Sequence, residues 1–202
     1  MNEKEWACRR VQQAVVLNNA QCAVLVPIVS VQGQQHLLFE VRSKELSWQP
    51  GDICFPGGGI ERSDASPVAA ALREMEEELG VGPAAIQVLG PLDYVESPVG
   101  VTVWPVAAVI DTSSFVPSRA EVHETFTVPI DWFRKHVPQT AVMEIAPRPA
   151  VGFPADIHLH CQQWQRRRTY NVYIYRYGRR VIWGITAHVV KKFIEAYEKI
   201  EM

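Results

Sequence analysis

The chain has 202 residues, a formal net charge of −2 and an apolar fraction of 48%, enough material to bury a sizeable core. That charge balance offers no broad basic field for nucleic acid and no acidic tail for a basic partner. The longest apolar runs, such as AVLVPIVSV, are too short and too interrupted by proline to span a membrane.

Four cysteines, Cys8, Cys22, Cys54 and Cys161, lie far apart and form no CxxC pair. That usage fits reduced thiols in a cytoplasmic protein rather than a disulfide framework or a zinc site. The N-terminal stretch MNEKEWACRRVQQAV is charged and lacks a secretory apolar segment. Residues 3–17 have helical spacing in Trp6, Val11 and Val15. A Val- and Ile-rich strand is expected over Ala23–Val31, a hairpin turn over Gln32–Gln35, and a returning strand over His36–Arg42. Ser43–Gly51 reads as a loop, and Ile53-Cys54-Phe55 as a short strand ending at Pro56.

Gly57-Gly58-Gly59 reads as a turn through which backbone can approach a ligand. Ser66-Pro67 is a helix start, with Ser66 as N-cap and Pro67 in the first turn; the helix should run to Leu79 and stop at Gly80. Strands follow over Ile86–Val95, Val101–Ile110 and Phe126–Val128, with a short helix over Pro129–His136. Residues 138–163 are Pro-rich and carry no clear assignment. Tyr170–Tyr177 is strand-like, and Ala187–Lys199 is an amphipathic helix with Val190, Phe193, Ile194 and Tyr197 on one side. The sum is one α+β domain over residues 1–202.

The helix from Ser66 carries four glutamates in five positions: Glu74, Glu76, Glu77 and Glu78. At about 100° per residue, Glu77 lies roughly 60° to one side of Glu74 and Glu78 roughly 40° to the other, whereas Glu76 points away. Val68, Leu72, Met75 and Leu79 form the apolar stripe expected to dock the helix, with Glu78 facing away from it. Such a cluster can be a solvated face. Its position after the glycine triplet, with Arg73 able to pin a carboxylate, points instead to a hard divalent cation held by Glu74 and Glu78. A glycine carbonyl could complete that set. Clustered like charges would then be tolerated for the ion's sake.

Residues 59–81 resemble the Nudix box, and its second half matches throughout: Arg73, Glu74, Met75, Glu77, Glu78, Gly80 and Val81. The first half departs at Ala65, where the family has a glutamate that braces the motif arginine; Asp64 or Glu61 would have to take that role, or the brace is absent. Upstream, LLFEVRSKELSWQPGDICFPGG resembles the coenzyme A pyrophosphatase branch through Arg42, Ser43, Pro50, Gly51, Phe55 and Pro56-Gly57-Gly58, among others. AEVHETFTVPIDWF and IWGITAHVV are similar as well.

The family resemblance implies an α/β/α sandwich around a mixed β-sheet and a dependence on Mg2+ or Mn2+. It also implies hydrolysis of a nucleoside diphosphate linked to another moiety. The branch implies coenzyme A or its derivatives, cleaved to 3′,5′-ADP and 4′-phosphopantetheine. The partner would be a small-molecule nucleotide, with no nucleic acid and no membrane, and a homodimer stays open. Other readings are a pyrophosphatase for ADP-ribose or dinucleoside polyphosphates, and a nucleotide-sensing module without turnover.

On this reading Glu74 and Glu78 are metal ligands, Glu77 is a ligand or a base, and Arg73 orients them or else acts on phosphate. Gly58 and Gly59 shape the substrate approach. Arg42 and Ser43 touch phosphate or the pantetheine arm, or else pack beneath the glycines. Glu121 and Glu124 are the later candidates for the general base, His123 between them is incidental, and either acid could instead be an ordinary loop residue. Arg166-Arg167-Arg168 could meet a further phosphate, and Trp48 or Trp104 could stack on a base; solvated arginines and core tryptophans are the alternatives.

Overall fold

The computed structural model describes residues 19–111, 115–145, 151 and 168–201. The helix expected over 3–17, Cys8, Cys161, Arg166 and Arg167 lie outside these residues, as does the side chain of Arg168.

The central pairing is parallel. β1 (Ala20–Val31) runs beside β7 (Val101–Ile110) in continuous register from Ala20↔Val101 to Val29↔Ile110. β2 (Gln34–Arg42) returns antiparallel to β1 through a two-residue turn. β3 (Ile53–Cys54) and β8 (Val122–Pro129) pair with β2; β5 (Ile86–Pro91) and β6 (Val95–Ser97) pair with β7. Parallel and antiparallel neighbours together make the expected mixed sheet.

Both faces of this sheet are covered, which explains why its central strands read as nearly unbroken apolar runs. Ala23, Leu25 and Val29 of β1 point to one side, where helix α1 (Pro67–Leu79) packs with Ala70, Ala71, Met75 and Leu79. Val26 and Ile28 point to the other side. There they meet Phe133 of α2 (Ile130–Lys135) and Ala187, Val190 and Phe193 of α3 (Gly184–Glu201). Period-two alternation thus sends alternate side chains of one strand into two separate cores. The layers are helix, sheet, helix.

α1 follows its local signals closely. The Ser66 hydroxyl accepts from the Ala69 N–H at 3.1 Å, Pro67 opens the first turn, and Gly80 leaves the helix at φ 67° with its N–H on the Glu76 carbonyl. Elsewhere the strands differ from expectation. The strand expected over Ile86–Val95 is two strands, β5 and β6. The one expected over Phe126–Val128 extends to Val122–Pro129 because β2 offers a long partner edge.

The unassigned stretch after residue 138 begins with β9 (Gln139–Ile145). β9 pairs with β10 (Arg168–Tyr177), which pairs with β11 (Arg180–Trp183), to make a second antiparallel sheet. Tyr175 of β10 and Ile182 of β11 join the core beneath α3, which begins at Gly184 rather than Ala187.

Gly57–Gly59 is a strand, not a turn. This β4 pairs antiparallel with β1 in the register Cys22↔Gly59, Ala23↔Gly58, Val24↔Gly57. At Gly57, φ is 155°, and a Cβ there would lie 2.3 Å from the Ala23 carbonyl oxygen. Only glycine lets the two backbones meet this closely.

Candidate functional site

β4 brings helix α1 and the sheet to a common line of carboxylates. The Gly57 N–H donates to Glu78 Oε2 at 2.8 Å, and a Cβ on Gly58 would stand 2.5 Å from Glu74 Oε1. Two acids one helical turn apart thus lean on a strand that has no side chains. Glu76 lies on the exposed side near Gly82, as the angular argument expects.

Glu78 does not face away from the docking stripe. It is only 3% exposed. Ala70 and Ala71 are fully buried and belong to the contact face, which widens the buried arc until it includes Glu78.

Arg73 organises the outer edge. Its Nε and Nη2 donate to the two oxygens of Asp64, each at 3.1 Å. Nη1 donates to Glu74 Oε1 at 2.8 Å and to Glu77 Oε2 at 2.9 Å, and Nη2 also reaches the Gly59 carbonyl at 3.0 Å. Asp64 is therefore the brace that stands in for the absent glutamate at Ala65. It is itself fixed by the Glu61 N–H at 2.8 Å. The Arg73 guanidinium holds the Asp64 carboxyl below its ordinary value. The Gly59 carbonyl, one candidate to complete a ligand set, is already accepting from Arg73.

Glu40 completes the cluster, and sequence reasoning missed it. It sits on β2 with no exposure. Its Oε1 accepts from the Cys54 thiol at 3.2 Å, while its Oε2, among the described residues, is a buried oxygen without a partner. The available signal was a single acid inside the apolar run LLFEV. Burial pushes the Glu40 and Glu78 carboxyls well above the ordinary range; at Glu78 the charges of Glu40, Glu74 and Glu121 add to the rise against the Gly57 N–H, while at Glu40 the Cys54 thiol and Arg42 oppose it. Burial also raises Glu74, against the opposing pull of Arg73. The charge of Glu121 acts on all three, so this exposed loop acid faces the same place.

Glu124 does not join them. Arg180 binds both of its oxygens while stacking over Phe126, so the pair ties β8 to β11. His123 is exposed. Ser43 is buried, with its hydroxyl accepting from the Glu45 N–H at 3.3 Å and its own N–H on the Glu121 carbonyl at 2.7 Å. The structure gives it the task of holding the Glu121 loop against β2.

Arg42 lines a cavity of about 290 Å³ on the opposite face of β4, together with Cys22, Cys54 and all three glycines. Trp48, 58% exposed, stands at the same cavity and accepts from Arg42 Nε through its carbonyl. Trp104 is engaged elsewhere, with Tyr94 and with Gln21. The glycine strand therefore borders both the carboxylates and the Arg42 cavity, and Cys54, which lines that cavity and donates to Glu40, links the two.

Among the described residues no three His, Cys, Asp or Glu side chains already stand close enough to hold an ion. The donor set nonetheless suits a hard cation. Glu40, Glu74, Glu78 and Glu121 crowd their charges together although Arg73 pairs with Glu74, and among the described residues Glu40 keeps an unpaired buried oxygen. A divalent ion drawing Glu74 and Glu78 together would relieve that repulsion.

A family model described as the NUDIX domain matches residues 20–143. The Escherichia coli (strain K12) protein named Uncharacterized Nudix hydrolase NudL is 34% identical over 180 residues, covering 87% of this chain and 82% of its own length. An Ap4A hydrolase from C. elegans, in a binary complex, is 17% identical with a TM-score of 0.47, over 55% of this chain and 80% of that one. The NUDIX domain of Shewanella oneidensis NrtR, complexed with ADP ribose, is 19% identical with a TM-score of 0.45, over 67% of this chain and 88% of that one.

Proposed function

The chain belongs to the Nudix hydrolase family, and from that membership we propose that it cleaves the diphosphate of coenzyme A or its derivatives, releasing 3′,5′-ADP and 4′-phosphopantetheine. The observation that carries the hydrolytic reading is the convergence of Glu40, Glu74, Glu78 and Glu121 beside a strand without side chains. The choice of coenzyme A is supported by the stretch Leu37–Gly58, which builds β2, β3, the Arg42 cavity wall and the first residues of β4.

Glu74 and Glu78 are the residues to hold the divalent ion, with Glu77 beside them as a further ligand or base. A bound Mg2+ or Mn2+ supplies neutralising charge and Lewis acidity. The remaining work belongs to the chain. Arg73, fixed by Asp64, sets the direction of Glu74 and Glu77. Glu121, exposed and facing the acids, accepts the proton of the attacking water. The glycines let the substrate phosphates lie against backbone, and Arg42 offers a guanidinium from the cavity wall.

The test is a product assay with coenzyme A, ADP-ribose and diadenosine polyphosphates, each with Mg2+ and with Mn2+. The expected result is 3′,5′-ADP from coenzyme A at the highest kcat/KM. Faster turnover of ADP-ribose or the dinucleotides would move the assignment to that substrate class, and no cleavage of any of the three would end the hydrolytic reading.

A further inference from the structure

Of the two cysteines among the described residues, Cys54 shares the carboxylates' side of the sheet and Cys22 does not. Along β2, Leu38 packs with the core under α1 and Phe39 with the opposite core, so Glu40 returns to the α1 side. Cys54 lies directly across from Glu40 in the β2–β3 ladder, and directly opposed residues point to one face. The thiol accordingly donates to Glu40 Oε1 at 3.2 Å. Cys22 instead goes with Val24 and Val26 into the opposite core.

The proposed hydrolysis has no use for this thiol, since Mg2+ takes oxygen ligands. Nor does stability account for its partner. Glu40 is fully buried, and among the described residues its Oε2 meets no donor at all. The pair does have the spacing of a chelate. A tetrahedral ion with bonds of about 2.3 Å to sulfur and about 2.1 Å to oxygen sets those atoms about 3.6 Å apart, so little movement separates the hydrogen-bonded pair from a metal-bound one. A third donor stands beside it. The charge of Glu78 acts on Cys54 and that of Glu40 on Glu78, so the three side chains face one another. Glu78 gives the Gly57 N–H its Oε2.

We propose that Cys54, Glu40 and Glu78 form a second cation site of mixed sulfur and oxygen donors, which takes a thiophilic divalent ion of the Zn2+ and Co2+ class. The ion replaces the proton between Cys54 and Glu40; that proton leaves to solvent as the metal–sulfur bond forms, and Glu78 is drawn onto the pair. Glu78 is common to this site and to the Mg2+ or Mn2+ of the proposed hydrolysis, so the two ions compete and the thiophilic one inhibits. This rests on reading the acids as cation ligands. It goes further by adding a sulfur donor from the sheet and a means of control by metal type.

The full chain, without substrate, tests it with metal alone. Co2+ bound by Cys54 gives a thiolate-to-cobalt charge-transfer band in the near ultraviolet, and bound Mn2+ is read from the loss of the free-ion EPR signal. Wild type should show the band. Cys54→Ser, whose hydroxyl can still donate to Glu40, should lose it, melt close to wild type and keep its Mn2+ affinity. The Zn2+ concentration that displaces half of the bound Mn2+ should rise at least about ten-fold in that variant.

No cobalt band in the wild type overturns the inference whether or not the variant folds. A band that survives in Cys54→Ser overturns it too, as does equal displacement of Mn2+ by Zn2+ in both proteins. If Mn2+ binds and the band is absent, the second site falls and the carboxylate site stands. A band without Mn2+ binding means the reverse.

Discussion

Replacing the three glycines of β4 one at a time by alanine should give three different outcomes, because the three missing side chains face three different things. At Gly57 an added Cβ would lie 2.3 Å from the Ala23 carbonyl oxygen and 2.6 Å from Val24 Cα, both backbone, and the φ of 155° is itself unfavourable for alanine. Neither strand can yield without breaking the β1–β4 pairing. Overpacking together with backbone strain should destabilise by about 3 kcal/mol or more, or roughly 6–12 °C in Tm for a chain of this length. At Gly58 the three atoms nearest the added Cβ all belong to the Glu74 carboxylate, at 2.5–2.8 Å. That group can swing away, so Tm should fall by no more than about 3 °C. The displaced carboxylate is a proposed ligand, however, and a shift of this size costs on the order of 100-fold in kcat/KM. At Gly59 nothing lies within 4 Å, and alanine should be tolerated in the fold. Thermal melts and metal-dependent turnover on the three variants separate stability from function. Full turnover in Gly58→Ala would refute the role given to Glu74, and an unchanged melt in Gly57→Ala would refute the strand pairing.

Asp64→Asn should leave the fold intact and lower activity by roughly ten-fold or more, as expected when a group that orients a metal ligand is lost; because the effect passes through Arg73, adding Arg73→Ala should cost little more, and simple additivity would argue against the brace. Glu76→Gln should change stability by less than about 0.5 kcal/mol and turnover by less than two-fold, since the side chain points to solvent. Glu78→Gln keeps an oxygen for the Gly57 N–H yet removes a charge, so turnover should be lost without unfolding; retained turnover would remove Glu78 from the ligand set. The raised carboxyls also set a pH trend. Glu40 and Glu78 bind protons more tightly folded than unfolded. Their contribution to stability is therefore complete below the ordinary glutamate pKa and declines as pH rises toward the folded values. In EDTA, Tm should fall between pH 5 and pH 8, and less steeply in Glu78→Gln. Saturating Mg2+ or Mn2+ at pH 8 should raise the wild-type Tm by about 5–10 °C at a hundred times Kd, and no rise would count against an ion at these acids.

Helix α1 was legible because its signals are local: a capping serine, a proline in the first turn and a closing glycine decide where it begins and ends. Glu74 and Arg73 were legible for the same reason. The glycine triplet was not. Its composition is that of a turn, but a strand exists where a partner edge is offered, and β1, more than thirty residues earlier, offers it at Cys22–Val24. Glu78 was misplaced because the stripe was drawn through the large aliphatic residues alone. The alanines at 70 and 71 let the helix backbone settle close to the sheet, so the contact face is centred nearer to Glu78 than to Leu72. Glu40 escaped because β3 and β8 both pair with β2, and those partners could not be read from the strand itself.

Those two misreadings concern the same physical fact. A solvated row of glutamates costs little, since water screens it. Glu78 and Glu40 are not solvated; they are packed into the margin of a core, where burial raises both carboxyls and Glu40 raises Glu78 further, with one oxygen of Glu40 left without a donor among the described residues. Removing the charge while keeping the shape would be expected to stabilise such a pair. A fold selected for stability alone has no use for it. A site that must draw a divalent cation to a diphosphate does, because the repulsion stored in the metal-free protein is released when the ion arrives and so adds to the ion's affinity. Stability without metal and affinity for metal are then opposed through the same residues: any replacement of Glu40 or Glu78 that raises Tm in EDTA should weaken binding of Mn2+, and a variant that improved both would show that the buried acids serve some other end.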